Sequence, residues 1–205
     1  MLATASRALV GAGWAFEPKL DGWRAVIHVR GGQVTVYSRP GRDMTSSVPQ
    51  LAGLVDAVPD GSVLDGEIVA GTGRASSFYR LAPELGTTRA PVSFAAFDLL
   101  ARDGRSLLGA PYEERRRLLV GLAFLGPAWC TVPAWIDAGV ADLLAACEIQ
   151  GLEGFVAKRL PSRYRPGRRS PDWVKLKTVA WTRDHAPRRR PELQSKASEG
   201  DPTSL

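Results

Sequence analysis

Residues 25 to 39 read AVIHVRGGQVTVYSR, two runs that alternate apolar and polar side chains around Gly31-Gly32. Period-two alternation around a glycine pair specifies a β-hairpin with a two-residue turn; a helix would scatter the same apolar residues around its circumference. A hairpin with one apolar face commits the chain to supplying more strands and a cover. Four further segments read as strands, rich in Val, Phe, Ile and Leu: SVLDGEIVA (62–70), VSFAAFDLL (92–100), EGFVAKRL (153–160) and DWVKLKTVAW (172–181). Helices are expected at SSVPQLAGLVDAV (46–58), at PYEERRRLLVGLA (111–123) with Pro111 suited to a first turn, and at AGVADLLAACEIQ (138–150), capped by Asp137 and stopped by Gly151. The pattern predicts an α+β fold of mainly antiparallel sheets flanked by helices, without internal repeats.

With 205 residues, 44% of them hydrophobic, the chain can bury one good core. No apolar run approaches the roughly 18 to 20 residues of a membrane span. The N-terminal ALVGAGWAF runs straight into charged residues with no room for a cleavage site, so an intracellular, cytoplasmic protein is expected. Cys130 and Cys147 are too few for a disulfide framework and lack metal-ligand spacing, which leaves two half-buried structural thiols. After Trp181 the periodicity ends, and residues 181–205 read as a basic, disordered tail.

Charge is unevenly spread. Between Lys158 and Arg190 twelve Lys or Arg stand against two Asp, a local balance of +10 in a chain whose total is +6. Such a segment suits a polyanionic partner such as nucleic acid, or is a solvated arginine-rich surface. Alternation also tells which charges share a face: Trp173, Lys175 and Lys177 point one way, Val174 and Leu176 the other. Asp65, Glu67 and Val69 fall together, and Glu153 and Lys158 fall on opposite faces of a regular strand. Carboxylates in apolar strands are expensive unless paired or bound to a cation, and strand by strand each reads as half of a salt bridge.

Taken in order, KLDGWR (19–24), SRPGRDMT (38–45), LDGEIV (64–69), FAAFDLL (94–100), EGFVAKR (153–159) and WVKLK (173–177) resemble motifs I, Ia, III, IIIa, IV and V of the covalent nucleotidyltransferases. The resemblance is closest to bacterial ATP-dependent DNA ligases and covers residues 14 to 180. It implies an ATP-grasp-like nucleotidyltransferase fold over residues 1–180. It also implies an enzyme that uses ATP with Mg²⁺ or Mn²⁺ and acts on nicked duplex or DNA ends in repair.

By that resemblance Lys19 attacks the α-phosphate and becomes lysyl-AMP. A free lysine is neutral in only about one molecule in a thousand near neutrality, so the site must favour the amine, and cationic neighbours (Arg24, Lys175, Lys177, a metal) are the expected means. The resemblance further implies Glu17 at the adenine amino group, Phe97 stacked on the purine, and Arg24 and Arg39 at ribose or phosphate. It places Glu67 at the ribose or metal, Glu153 at the metal, and Lys175 with Lys177 at the α-phosphate. Asp21 orients the loop or a metal-bound water, while Asp65 and Gly66 are structural. Members of the family continue into an OB-fold domain of about a hundred residues. Only 28 residues follow Lys177, so no OB-fold is expected in this chain and a separate OB-fold or repair partner would serve instead. Two other readings stand beside this one: an RNA ligase or capping-type enzyme, and a non-catalytic module that binds DNA ends.

Overall fold

The computed structural model describes residues 1–5, 9, 12–70, 92–136 and 138–185. The glycine hairpin forms between β3 (Trp23–Arg30) and β4 (Gln33–Ser38), paired from Ala25↔Ser38 to Arg30↔Gln33. Gly31 and Gly32 sit at φ 59° and 72°, the left-handed region that a two-residue turn between twisted strands demands. A seven-stranded sheet grows from this hairpin. Strand β5 (Ser62–Ala70) pairs with β3 and β6 (Val92–Arg102) with β5, followed by β7 (Arg105–Ser106), β8 (Leu125–Gly126) and β9 (Trp129–Thr131), in the order β4-β3-β5-β6-β9-β8 with β7 on β6. Its inner face buries Ile27, Val29, Leu64, Ile68, Phe94 and Leu99 in the main core.

The helix expected over 46–58 is replaced by two 3-10 turns (Thr45–Ser47 and Pro49–Leu51) and a one-turn helix, α1 (Leu54–Ala57). Pro49 has no N–H to donate and starts a new turn, which breaks the i→i−4 ladder. The segment still buries Val48, Leu51 and Leu54. Helix α2 (Tyr112–Val120) begins directly after Pro111. Its Arg115 is fully buried, holds both oxygens of Asp98 on β6 at 2.8 and 3.0 Å, and donates to the Ala110 and Ser162 carbonyls.

The second sheet has five strands: β1 (Leu2–Ala5), β2 (Trp14–Pro18), β10 (Trp135–Ile136), β11 (Gly154–Arg159) and β12 (Arg169–Lys177), in the order β1-β12-β11-β2-β10. Helix α3 (Val140–Ile149) covers one face, where Phe16, Phe155, Val174 and Leu176 pack with Cys147. Gly139 is its N-cap; Asp137, the expected cap, lies outside the described residues. Gly151 follows the helix at φ 67°, as the stop requires. Strand β12 ends at Lys177, four residues before the expected strand end, because Thr178 accepts the Trp181 N–H and caps α4 (Val179–Asp184). Residues 186–205, most of the expected tail, lie outside the described residues. Both thiols are free, Cys147 buried and Cys130 half-buried. Among the described residues no helix is long and apolar enough to cross a membrane.

Candidate functional site

The face of the five-stranded sheet away from α3 meets the outer face of the seven-stranded sheet along a cleft of about 240 Å³. Strand register fixes what stands in it. Glu17 on β2, Val156 on β11 and Lys175 on β12 form one row, and Lys158 and Trp173 pair in the next. At the end of these strands Gly154 pairs with Lys177 and Phe155 with Pro18. Glu153, Lys177 and Lys19 therefore converge on one corner, and the Lys19 N–H donates to the Gly154 carbonyl at 2.9 Å.

The other wall comes from β3, β5 and β6. Arg24 lies opposite Glu67, and Phe97 is the extra residue of a β-bulge, since Ala96 pairs with Gly66 and Asp98 with Asp65. Bulges re-aim side chains, and this one turns Phe97 into the cleft while Phe94 and Leu99 stay in the core. Gly66 permits the close pairing: a Cβ there would collide with the Phe94 ring and the Ala95 carbonyl. Asp65 is fully buried, grips Arg24 at 3.0 and 2.6 Å, and accepts the Tyr164 hydroxyl at 2.7 Å. Both it and Gly66 thus have the structural surroundings expected of them.

Seven of the residues singled out in the sequence line this one cleft: Glu17, Lys19, Arg24, Arg39, Glu67, Phe97 and Lys175. Glu153 and Lys177 join it through ion pairs. Glu153 Oε2 meets Lys19 Nζ at 2.5 Å and Oε1 meets Lys177 Nζ at 2.8 Å. Lys19 is therefore ion-paired with an anion, while the expected cations Arg24 and Lys175 line the same cleft. The expected separation of Glu153 and Lys158 fails: Gly154, at φ 147°, breaks the alternation and Glu153 turns toward the lysines of the cleft. Asp21 is exposed on the turn before β3.

Burial and charge tune these groups against each other. Burial pushes the Glu67 carboxyl up to about 7 despite Arg24 and Lys19 nearby. Burial would raise Glu153 as well, but hydrogen bonds from Lys177 and Lys19 outweigh it and hold that carboxyl below its usual value. Lys175 is lowered, by burial first and then by Lys177 and Lys19, so the cationic cluster acts on this lysine. Burial opposes the Arg24 charge, yet Asp65 keeps the guanidinium above its ordinary value.

A buried lysine at the cleft floor escaped the sequence reading of the site. Lys158 is 1% exposed, pairs with Glu17 at 2.7 Å, donates to the Phe97 carbonyl at 3.1 Å and lies 4.2 Å from the Trp173 ring centre. Burial lowers its basicity although Glu17 works to raise it. Tyr112 also donates to Glu17, at 2.5 Å. The signal was a lysine at an inward position of the apolar run GFVAKR, where only a partnered charge is tolerated. The Trp173 indole N–H, buried in the same wall, has no hydrogen-bond partner among the described residues.

A lysine at the mouth of a cleft, with further cations, a ring face and a buried carboxylate, suits covalent handling of a nucleotide. The family model described as "ATP dependent DNA ligase domain" matches residues 1–177. The chain belongs to the ATP-dependent DNA ligase domain family. The multifunctional non-homologous end joining DNA repair protein LigD of Mycobacterium tuberculosis is 43% identical over 181 residues, 86% of this chain and 23% of that protein. A probable DNA ligase of Streptomyces avermitilis is 37% identical over 182 residues, 80% of this chain and 35% of the relative. This ligase-family chain thus spans about a quarter to a third of the curated relatives it matches. The crystal structure of the ligase domain of M. tuberculosis LigD superposes with a TM-score of 0.74 at 39% identity, over 86% of this chain and 59% of that one. Mycobacterial DNA ligase D complexed with ATP and MES superposes at 0.67 and 38% identity, over 86% and 58%.

Proposed function

We propose that this chain is the adenylation domain of an ATP-dependent DNA ligase, which takes AMP onto Lys19 and passes it to the 5′-phosphate of a DNA strand for nick sealing in repair. The carrying observation is the convergence of Lys19 with Glu17, Arg24, Arg39, Glu67, Phe97 and Lys175 in one cleft, within a family match spanning residues 1–177. In the first step Nζ of Lys19 bonds to the α-phosphorus, the bond to the bridging oxygen breaks, and pyrophosphate leaves. The nearest acceptor for the proton shed by Nζ is the Glu153 carboxylate. Lys175 and Lys177, on one face of β12, neutralise charge at the α-phosphate as it builds. Phe97 offers its ring to the purine, a contact worth about 1 to 3 kcal/mol. Glu17, held by Lys158 and Tyr112, presents a fixed acceptor to the adenine amino group. Arg24 and Arg39 serve the ribose and phosphates.

A divalent ion such as Mg²⁺ or Mn²⁺ fits the donor set. Glu67 is a cleft carboxylate with no salt bridge among the described residues, and burial raises its carboxyl to about 7, a penalty on the anion that a bound cation would relieve. No cluster of three His, Cys, Asp or Glu able to hold a metal occurs among the described residues, so Glu67 and Glu153 would hold the ion together with phosphate oxygens and water. Its contribution when bound is electrostatic relief at the phosphates.

Intact mass spectrometry before and after incubation with ATP and Mg²⁺ tests the proposal. The expected result is a covalent AMP adduct that Lys19→Ala abolishes while circular dichroism stays native. An adduct on the variant would mean that the nucleophile is another residue. Labelling by GTP in preference to ATP would favour a capping-type enzyme.

A further inference from the structure

Lys158 ties the two walls of the cleft together at one atom. Its Nζ lies 2.7 Å from Glu17 Oε2 and donates to the Phe97 carbonyl at 3.1 Å. Glu17 stands on β2 of the five-stranded sheet and Phe97 on β6 of the seven-stranded one, so their strands pair in different sheets. The ammonium is shut in by the rings of Phe97, Tyr112 and Trp173, 4.4, 5.0 and 4.2 Å from their centres. Helix α2 closes the other side of the carboxylate. Tyr112 donates its hydroxyl to Glu17 Oε1 at 2.5 Å, and Arg116, one turn later on the same face, brings Nη1 to 3.7 Å from that oxygen. Arg116 is itself fixed by a bond from Nη2 to the Val132 carbonyl at 2.5 Å. Burial first, and then the Glu17 charge, holds the Tyr112 phenol well above its ordinary value, so it stays a donor.

We propose that Lys158 and Tyr112 are positioning residues that make the cleft select a purine with an amino group at C6, by holding Glu17 as an acceptor in the plane of a base stacked on Phe97. The purine's place in the cleft rests on the adenylation reading; the brace itself does not. A carboxylate offers about four lone-pair sites and no hydrogen. Lys158 and Tyr112 take one site on each oxygen, and the others remain for a ligand in the cleft that Glu17 lines. Because both partners are donors, Glu17 cannot turn a proton of its own toward the cleft without breaking a buried bond. An amino group at C6 therefore meets an acceptor. A carbonyl oxygen there meets another acceptor, at a residue only 3% exposed, where water cannot relieve the mismatch. Direction matters as well as charge, since amino hydrogens lie in the ring plane and a hydrogen bond weakens steeply when bent. Phe97 sets that plane from one sheet, and Glu17 must meet it from the other. By bonding to both, Lys158 fixes the spacing between the group that holds the face of the base and the group that reads its edge.

The test compares ATP with inosine triphosphate, whose base carries a carbonyl oxygen at C6 in place of the amino group. Two quantities are read for each nucleotide: its Kd by isothermal titration with EDTA present, and the rate of adduct formation at Lys19 by intact mass with Mg²⁺. Wild type is expected to prefer ATP by about a hundredfold or more. Tyr112→Phe deletes only the hydroxyl, and Lys158→Met removes the charge at similar length; each is expected to cut that preference about tenfold or more. A merely structural role would weaken both nucleotides alike and leave the ratio where it was. Tyr112→Phe carries the test if Lys158→Met does not fold, because the ring over the lysine remains. Wild type that does not discriminate, or folded variants that keep the wild-type ratio, would overturn the proposal, and an AMP adduct at Lys19 in those same samples would leave the adenylation reading standing. Selective ATP binding that the variants relax, in a protein that never forms the adduct, would sink the adenylation reading and keep the brace. Binding of neither nucleotide would overturn both.

Discussion

Glu67 carries a clear pH signature in the cleft. Its carboxyl sits at about 7 in the fold against an ordinary 4.5, because burial penalises the anion more than Arg24 and Lys19 favour it. Between those two values the folded state keeps a proton that the unfolded chain has released, so folding stability falls as pH rises through the window. Glu67→Gln removes the titration. In nucleotide-free protein with EDTA, urea unfolding at pH 4.5 and pH 8 is expected to show wild type losing up to about 3 kcal/mol relative to the variant. Parallel pH profiles for the two proteins would show that the carboxylate is compensated. The residues that share the cleft were legible only through the resemblance of six motifs taken in order, since strand by strand the same charges read as halves of salt bridges. Their pairing was not. Alternation assigns faces, but that Glu153 answers both Lys19 and Lys177 depends on three strand ends meeting at one corner, a three-dimensional register that no window of sequence contains.

Among the elements, β11 depends most on a single position. Gly154 opens the strand at φ 147°, and a Cβ there would strike the Leu176 carbonyl of β12. Gly154→Ala is expected to destabilise the protein by about 1 to 3 kcal/mol and to weaken adenylation further than the stability loss explains, because Glu153 and the Lys19 N–H both hang on this turn. Chemical denaturation and AMP labelling at saturating ATP, run on the same samples, separate the two effects. Hairpin, β5, β6 and β11 were readable at the element scale, since each is long, alternating or densely β-branched. Two kinds of feature were not. Pro49 cuts a helical pattern into 3-10 turns, a competition between local hydrogen bonding and a missing donor. The bulges at Phe97 and Leu100 leave no mark in FAAFDLLA, because the extra residues arise only from what β5 pairs with. Only Phe97 of the two lines the cleft; Leu100 packs with Met1, Tyr164 and Trp173.

At the scale of the whole molecule, the cleft is a seam between two sheets rather than a hole in one. Glu17, Lys158 and Lys175 come from the five-stranded sheet, and Arg24, Glu67 and Phe97 from the seven-stranded one. A nucleotide that touches both walls holds them together and adds its binding energy to folding, about 2.7 kcal/mol at a hundred times its Kd. ATP with Mg²⁺ is therefore expected to raise Tm in a concentration-dependent way, and Phe97→Ala to lower that gain by about 1 to 3 kcal/mol. A Tm that ignores ATP would contradict a nucleotide in this seam. The two sheets are also assembled from different parts of the chain. The seven-stranded sheet uses residues 23–131 in a run of near neighbours, whereas the five-stranded sheet joins residues 2–18 to 135–177. On a ribosome delivering about 5 to 20 residues per second, the first sheet can close while the second still waits for its last strand. Until β12 emerges, Lys19 has neither Lys175 nor Lys177 beside it and β2 lacks its β11 neighbour. The corner where Lys19, Glu153 and Lys177 meet is complete only once synthesis has passed Lys177, so a partly made copy is a scaffold without it.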